Sequence, residues 1–345
     1  MRDFAPRLVA WQRRHGRHGL PWQGTRDPYR IWLAEVMLQQ TQVAAVIPYY
    51  ERFLARFADV SALAAASQED VLRLWSGLGY YARGRNLHAA AKAIAVQGSF
   101  PRTAEGIQVL PGVGRSTAAA IAVFAFGRRE AILDGNAKRV LARCFGAEGA
   151  GRLWELAERL LPQRGIRAYT QGLMDLGATV CMRANPACER CPVARGCVAR
   201  REGRIAELPA PRRRHAVPQR KATWLVLLSG AQVLLERRAP SGLWGGLWTF
   251  PELDGAGVKG HCRRVLGCEI ASVRKLALLE HGFTHFTLQA QPVLCDVRKR
   301  SPQAQGAGRM WLDTADAVHA AVPAPVRTFL QSLEETLSLP TGRSS

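Results

Sequence analysis

Hydrophobic and polar positions follow two different periods along the chain. Before residue 206, apolar residues recur at the three-to-four-residue spacing of amphipathic helices, which predicts an almost wholly helical region. Turns rich in glycine and proline separate the predicted helices. The predicted helical segments are Ile31–Tyr50, Val71–Trp75, Leu87–Val96, Thr117–Phe126, Ala137–Cys144 and Leu153–Leu161.

The pattern changes after residue 206. Glu207–Lys221 contains three prolines and five basic residues without a periodic apolar pattern, which predicts an interdomain linker. Short β-prone runs then predict strands, and Pro325–Leu337 predicts a closing helix. The strands are predicted at Ala222–Leu228, Gln232–Leu235, Leu243–Phe250, Phe283–Leu288 and Pro292–Val297. We therefore expect a multidomain protein: an all-α domain over 1–206, a linker over 207–221, an α+β domain over 222–339 and a tail over 340–345.

The charge of the chain indicates a polyanionic partner. The sequence has 48 Lys and Arg against 27 Asp and Glu, a formal charge of +21. A coding bias toward Arg is an alternative explanation, but the excess is uneven. Residues 1–220 carry 34 basic and 17 acidic residues, whereas residues 221–345 carry 14 and 10. This distribution favours nucleic-acid binding.

Two classes of protein are not expected from this sequence. No apolar run reaches the length of a membrane span, and the first residues lack the apolar core of a secretory signal. Four of the eight cysteines fall in one cluster, which is typical of a metal site in a reducing compartment rather than of a disulfide framework. We expect a cytoplasmic protein.

Two carboxylates are candidates for acid–base chemistry. Glu35 lies in the apolar helical sequence IWLAEVMLQQ, where burial would raise its pKa and keep it protonated near neutrality. The alternative is a helix carboxylate that is solvated or paired with an arginine. Asp134 occupies a helix N-cap position, which stabilises its ionised form. One neutral and one ionised carboxyl group is the combination that cleaves glycosidic bonds.

Two further motifs suggest phosphate and metal binding. Leu110, Gly112 and Gly114 belong to LPGVG, just before a predicted helix, where backbone N–H groups can approach an anion. An ordinary helix–helix turn is the alternative. The spacing C-x6-C-x2-C-x5-C fits four ligands to one [4Fe–4S] cluster or to one zinc ion. These cysteines are Cys181, Cys188, Cys191 and Cys197.

Several short sequence motifs of the chain resemble those of a known family. The LPGVG hairpin, the LDGN sequence and the cysteine spacing resemble the endonuclease III superfamily, the helix-hairpin-helix, iron–sulfur glycosylases. The sequences EVMLQQTQV, GLGYYARGRNLH, ILDGNAKRVLAR and SGLWGGLWTFPE closely resemble the MutY adenine DNA glycosylases within it. The similarity extends from about Leu20 to about Leu288, and it implies that the α+β domain is Nudix-like.

The resemblance implies an enzyme of base excision repair that removes adenine paired with 8-oxoguanine, and more weakly with guanine, from duplex DNA. It implies that Glu35 protonates N7 of a flipped adenine and that Asp134 stabilises the sugar cation, with Asn136 orienting the site. Gln40 and Tyr80 match residues that wedge into the duplex. The four cysteines would hold a [4Fe–4S] cluster, and the enzyme would act as a monomer.

Ser116 bears on whether the enzyme also cuts the DNA strand at the abasic sugar. In bifunctional relatives a lysine at this position attacks the sugar and cuts the strand, whereas a serine cannot form the imine. The resemblance therefore implies a monofunctional glycosylase. Lys138 lies four residues after Asp134 and is either a source of trace lyase activity or a phosphate-contacting surface residue.

The C-terminal domain departs from Nudix hydrolases. The stretch Val258–Ile270 has one acidic residue and lacks the glutamates that hold magnesium in those enzymes, which favours lesion recognition over hydrolysis. Thr284 and His285 match a Ser–His pair of relatives, which implies contact with 8-oxoguanine; a strand with a solvated face is the alternative. Near the N-terminus, His18 and Gln23 stand where some relatives have arginine.

Two other functions remain as alternatives. One is a thymine or oxidised-pyrimidine glycosylase on the same scaffold; Ser116 and the presence of a C-terminal domain argue against it. The other is a DNA-binding iron–sulfur protein without catalysis. The presence of both Glu35 and Asp134 argues against that alternative.

Overall fold

The computed structural model describes residues 3–210, 217–255, 257–283 and 285–338. By their contacts, the residues form two units: Met1–Ala66 with Arg85–Arg213, and Ser67–Gly84 with Arg214–Ser345. The first is helical and the second combines a sheet with helices. The predicted multidomain, all-α then α+β architecture is confirmed. The predicted boundaries remain predictions, and the contacts add one feature that they lack: residues 67–84 associate with the C-terminal unit.

The helical region follows the predicted pattern closely. Most predicted segments coincide with a helix, and polar caps mark several starts; Asp27, for example, accepts a hydrogen bond from the backbone N–H of Tyr29. The helices are α1 (Phe4–His15), α2 (Pro28–Leu38), α3 (Val43–Arg56), α4 (Val60–Ala65), α5 (Gln68–Trp75), α6 (Tyr81–Gln97), α7 (Ala104–Gln108), α8 (Arg115–Phe126), α9 (Gly135–Phe145), α10 (Ala150–Arg159), α11 (Ile166–Thr179) and α12 (Val198–Arg201).

The core of the first unit forms where α11 packs against α1 and α9. Leu8, Leu141 and Leu173 are buried at this junction. α8 is buried over most of its surface, because small alanines allow its neighbours to approach closely. α8 and α9 thus both pack against α11.

The segment predicted as helical over Ile31–Tyr50 is two helices. α2 ends at Leu38 and α3 begins at Val43. Between them, Gln40 has a φ of 59°, in the left-handed region that a right-handed helix excludes. The apolar spacing continues across the break, so the pattern could not reveal it.

The second unit is built on a mixed sheet. Within the described residues the strand order is β3-β2-β1-β6-β4, with β5 also paired to β6 and β7 to β2. β1 and β6 are parallel, and the other pairs are antiparallel. The elements are β1 (Gln219–Ser229), β2 (Gln232–Arg237), β3 (Trp248–Thr249), α13 (Val258–Arg264), β4 (Cys268–Lys275), β5 (Leu279–Gly282), β6 (Thr287–Arg300), β7 (Arg309–Asp313), α14 (Thr314–His319) and α15 (Ala324–Ser338).

Two strand predictions differ from the structure. Most of Leu243–Phe250 is a turn, and only Trp248–Thr249 pairs in a strand, because Trp244 and Gly246 adopt positive φ angles of 56° and 77°. The strand predicted from Phe283 begins instead at Thr287, and it continues through the predicted Pro292–Val297 strand as one long β6.

The predicted linker is partly anchored where it is described. Leu208 is buried, and its carbonyl accepts a hydrogen bond of 2.8 Å from Nε of Arg143. At the other end, Gln219–Lys221 already belong to β1. Among the described residues, none of the helices combines the length and the apolar character that a membrane crossing requires.

Candidate active site

Glu35 faces a cavity of about 390 Å³ in the helical unit. It lies on α2 among buried apolar neighbours such as Leu33 and Val36, and it is one of the residues that line the cavity. Desolvation by burial, and next the negative charge of Asp134, raise the pKa of Glu35 from 4.5 to about 8. The carboxyl group is therefore mostly protonated at neutral pH, as its apolar sequence context predicted.

The cavity combines an aromatic wall with cations and amides. His18 and Gln23, which stand where some relatives have arginine, both line the cavity. One side is held by Asp175, which is fully buried and accepts hydrogen bonds from Nε of Arg17 at 2.7 Å and from Nε2 of Gln171 at 2.9 Å. The other lining residues include Trp22, Arg26, Ile31, Phe124 and Arg167.

The sequence did not predict the side of the cavity that Arg17 and Asp175 form. Arg17 and Asp175 are separated by 158 positions in the chain, so no local pattern connects them. A buried acid on a helix, Asp175 in GLMDLG, was the one available signal. It is the same kind of signal that identified Glu35.

Asp134 caps α9 as predicted. Its Oδ1 accepts a hydrogen bond of 2.7 Å from the backbone N–H of Ala137, and Nδ2 of Asn136 lies 3.4 Å from Oδ2. These hydrogen bonds lower the pKa of Asp134, but desolvation is larger and leaves it raised overall. The cap geometry was thus predicted correctly, while the helix N-terminus does not dominate the pKa, because burial outweighs it.

Arg139 orients Asn136 and was missed from the sequence. Its Nη2 donates to Oδ1 of Asn136 at 2.8 Å and to the carbonyl of Gly177 at 2.6 Å. Its Nε donates to the carbonyl of Cys181 at 2.7 Å. With its oxygen engaged by Arg139, the Asn136 amide turns its N–H group toward Asp134.

Ser116 lies beside the segment that leads into Asp134. Its hydroxyl accepts a hydrogen bond of 3.0 Å from the backbone N–H of Leu133. The hydroxyl therefore helps to set the backbone just before the N-cap of α9. This contact joins the start of α8 to the start of α9.

The LPGVG turn connects α7 and α8 as expected. Gly112 has a φ of 77°, and a Cβ there would lie 2.7 Å from Cβ of Asn86, so the turn requires glycine on both counts. Gly114 is the N-cap of α8, with open space where a side chain would project. Leu110 is buried beneath the turn. The neighbouring Gln39 was missed; its amide lies 3.4 Å from the carbonyl of Gly112.

The four clustered cysteines line one largely apolar cavity. In the part of the chain that the structure describes, no three His, Cys, Asp or Glu side chains converge tightly enough for a single metal ion. Buried Arg143 secures this loop: its Nη1 lies 3.6 Å from Sγ of Cys181 and 2.6 Å from the carbonyl of Met182, and Nη2 lies 3.0 Å from the carbonyl of Arg183. Four thiols around one cavity form a donor set that suits either iron or zinc.

The residues expected to touch DNA lie in several places. Gln40 and Tyr80 are exposed, and both have left-handed backbones, with φ of 59° and 49°. Lys138 is half-buried on the first turn of α9. His285 is exposed between β5 and β6, whereas Thr284 falls outside the described residues.

Two family models match this sequence. That of the HhH-GPD superfamily, base excision DNA repair proteins, matches residues 33–163. That of the NUDIX domain matches residues 223–332. The matched ranges fall in the helical and the sheet-containing parts of the chain, respectively.

Individual relatives match over nearly the whole length. The adenine DNA glycosylase of Buchnera aphidicola subsp. Baizongia pistaciae is 32% identical over 340 residues, 96% of this chain and 97% of the relative. That of Mus musculus is 33% identical, over 96% of this chain and 78% of the relative. The solved structure of a thermostable thymine-DNA glycosylase matches with a TM-score of 0.54 and 30% identity, over 58% of this chain and 96% of that chain.

These matches confirm the family resemblance and the enzyme class predicted from the sequence. The helix-hairpin-helix match and the Nudix match both lie in the regions of the chain that the resemblance implied. The chain belongs to the adenine DNA glycosylase family, whose members hydrolyse N-glycosyl bonds in the base excision repair of DNA.

Proposed function

We propose that this enzyme removes adenine paired with 8-oxoguanine, and more weakly with guanine, from duplex DNA and leaves an intact strand with an abasic site. The observation that carries the proposal is Glu35, whose pKa of about 8 keeps it protonated beside a cavity. A base inside the stack cannot be reached by a buried acid, so the adenine is flipped into this cavity. Protonation of its N7 by Glu35 makes it a better leaving group.

Asp134 supplies the second half of the reaction. As the glycosidic bond breaks, positive charge develops on the sugar, and an adjacent carboxylate stabilises it. A water molecule then adds to C1′ of the sugar and loses a proton, which leaves the abasic site. The charge of Asp134 raises the pKa of Glu35, which is the expected effect if Asp134 loses its proton first. Asn136, held by Arg139, orients the Asp134 carboxylate through its amide.

Ser116 supports a monofunctional reaction. The position that carries the imine-forming lysine in bifunctional relatives here carries a hydroxyl that accepts a hydrogen bond from Leu133. Lys138 stands on the first turn of α9, where it contacts a phosphate. Strand breakage then requires alkali or another enzyme.

DNA contact is assigned to three groups of residues. Gly112 and Gly114 present backbone N–H groups to a phosphate at the start of α8, while Gln40 and Tyr80 enter the duplex near the mispair. Thr284 and His285 contact 8-oxoguanine from the C-terminal domain. The enzyme acts as a monomer on one lesion.

The four cysteines hold a [4Fe–4S] cluster in this proposal. The cavity between them and the N–H···S contact from Arg143 to Cys181 support it. When bound, the cluster cross-links the loop, so that its arginines are held for phosphate contacts. Iron and sulfide analysis of the purified protein tests this assignment; stoichiometric zinc in their place contradicts it.

Single-turnover base release tests the proposed reaction. Duplexes carrying one A:8-oxoguanine, A:G, A:T or G:T pair are incubated with excess enzyme, and strand scission is scored before and after alkali. We expect adenine release from the first two duplexes only, fastest opposite 8-oxoguanine, with breakage only after alkali.

The Glu35→Gln variant is the matched control, because it keeps the size of the side chain and removes the acidic proton. We expect a rate loss of about 10³-fold with affinity for the A:8-oxoguanine duplex within about tenfold of the parent. Release of thymine from G:T, or strand cutting without alkali, contradicts the proposal. Equal loss of rate and affinity assigns Glu35 a structural role.

A further inference from the structure

Residues 67–84 occupy an unexpected place in the molecule. They lie between helices of the glycosylase region in the sequence, yet their contacts assign them to the C-terminal unit. The segment contains α5, the turn Ser76–Tyr80 and the first turn of α6. The C-terminal sheet therefore supports the turn that carries Tyr80.

Trp248 of β3 forms the central contact to this segment. The indole Nε1 donates a hydrogen bond of 2.7 Å to Oε1 of Glu69, in the first turn of α5. The backbone N–H of the same tryptophan donates to the carbonyl of Ala321 at 2.9 Å. The next residue, Val322, accepts a hydrogen bond from the hydroxyl of buried Ser76. Trp248 and Val322 thus hold the two ends of α5.

Gly246 allows the close approach of α5 to this surface. A Cβ at Gly246 would lie 3.3 Å from Nε2 of Gln68 and 3.5 Å from Cδ1 of Leu72, and its φ of 77° favours glycine independently. The SGLWGGLWTF sequence is part of a stretch that closely resembles the family. It provides α5 with a hydrogen-bond donor at Trp248 and, at Gly246, with a surface that lacks a side chain, against which the helix can pack.

The turn after α5 is strained and fixed by hydrogen bonds. Tyr80 has a φ of 49°, a left-handed conformation that is unfavourable for a non-glycine residue, and the residue is 47% exposed. Trp75 Nε1 donates to the carbonyl of Gly79 at 3.1 Å, and the guanidinium of Arg83 lies 5.5 Å from the Trp75 ring and 5.2 Å from the Tyr80 ring. An exposed aromatic side chain on a strained, well-supported turn is presented for contact with another molecule.

We propose that Trp248 and Glu69 are positioning residues for Tyr80. Their hydrogen bond fixes α5 on the C-terminal sheet, and α5 in turn fixes the Trp75–Arg83–Tyr80 arrangement. The C-terminal domain, which is assigned to 8-oxoguanine recognition, and Tyr80, which is assigned to enter the duplex, then belong to the same structural unit. The inference rests on the proposed role of Tyr80 in the duplex, and neither Trp248 nor Glu69 touches the reacting atoms.

Base unstacking by the full-length enzyme provides the test. The probe is a duplex with 2-aminopurine beside the 8-oxoguanine of an A:8-oxoguanine pair, with a 2′-fluoro sugar at the adenosine to prevent cleavage. Parent enzyme should raise the 2-aminopurine fluorescence on binding. We expect Tyr80→Ala, Glu69→Ala and Trp248→Phe each to suppress that rise and to weaken binding about tenfold.

Matched variants separate positioning from folding. Glu69→Gln retains an acceptor oxygen and should restore the signal, and Glu155→Ala, at an exposed glutamate of α10, should not alter it. Glu69→Ala combined with Trp248→Phe should be no worse than either alone. Glu69 is half-exposed, so its substitution carries the test if Trp248→Phe does not fold.

Two results overturn the inference and are distinguishable. Full fluorescence in Glu69→Ala, with loss in Tyr80→Ala, leaves the wedge role intact and removes the positioning role. Full fluorescence in Tyr80→Ala refutes the wedge itself, and the positioning residues then have nothing to position.

Discussion

The surroundings of Glu35 and Asp134 differ although the same helical unit encloses both carboxyl groups. Glu35 lies within a helix, where the backbone N–H groups are already used, and burial raises its pKa to about 8. Asp134 lies at a helix start, where the N–H of Ala137 and the amide of Asn136 oppose the effect of burial. A position along a helix thus decides whether backbone N–H groups are available to oppose the effect of burial on the pKa of a carboxyl group.

Removing the charge of Asp134 while keeping its cap is the strongest way to test this difference. Asparagine is as good an N-cap as aspartate, so Asp134→Asn should change the free energy of unfolding by less than about 0.5 kcal/mol. Its single-turnover rate should nevertheless fall about 10²–10³-fold, because the developing sugar cation loses its counter-charge.

Asp134→Ala is the matched variant for the cap. It should lose the same rate and, in addition, about 1 kcal/mol of stability in thermal or urea unfolding. A near-normal rate in Asp134→Asn would show that the cap, and not the charge, is what the active site needs.

The pH dependence of base release sharpens the Glu35 side of the comparison. Only the protonated form donates a proton, so the single-turnover rate should fall about tenfold per pH unit above pH 8. The affinity for uncleavable 2′-fluoro duplex, measured over the same range, separates chemistry from binding. A rate that begins to fall near pH 5 would mean that the carboxyl group is not desolvated.

The pH dependence of the protein's stability should reflect the same raised pKa of Glu35, with a smaller effect than the one on the rate. Because folding raises the pKa of Glu35 from 4.5 to about 8, the folded state binds more protons than the unfolded state between these values. Its contribution to stability is therefore fully present below about pH 4.5 and is lost as the pH rises through about 8.

Glu35→Gln removes this dependence and isolates it. Relative to the parent, the variant should gain on the order of 1–2 kcal/mol between pH 5 and pH 8, since water in the cavity screens part of the effect. Urea unfolding at both pH values measures the difference. A constant difference between the two proteins would contradict a raised pKa.

Local patterns predicted those features of the site that depend on neighbours in the sequence. An acid in an apolar helix identified Glu35, and a polar residue before a helical pattern identified the Asp134 cap. The glycines of the hairpin turn were found in the same way, because a tight turn leaves few alternatives to glycine.

Features that depend on distant residues were not predictable. Arg139 and Arg143 act through backbone carbonyls 38–42 and 39–65 positions away, and any arginine in the sequence could make such contacts. The break at Gln40 was hidden because glutamine gives no sign of a left-handed backbone. The association of residues 67–84 with the C-terminal unit was hidden for the same reason as the arginine contacts.

The hydrogen bond between Ser116 and Leu133 bears on how glycosylase chemistries diverge. Ser116→Lys would introduce an amine where lyases carry one, but it would also remove the acceptor for the Leu133 N–H next to Asp134. The new amine would then lie near Asp134, the proposed catalytic carboxylate, while the backbone just before that residue had lost a hydrogen bond. An evolutionary route between base removal and strand cutting on this scaffold therefore requires a compensating change near Leu133, and engineering a lyase from this enzyme should begin there.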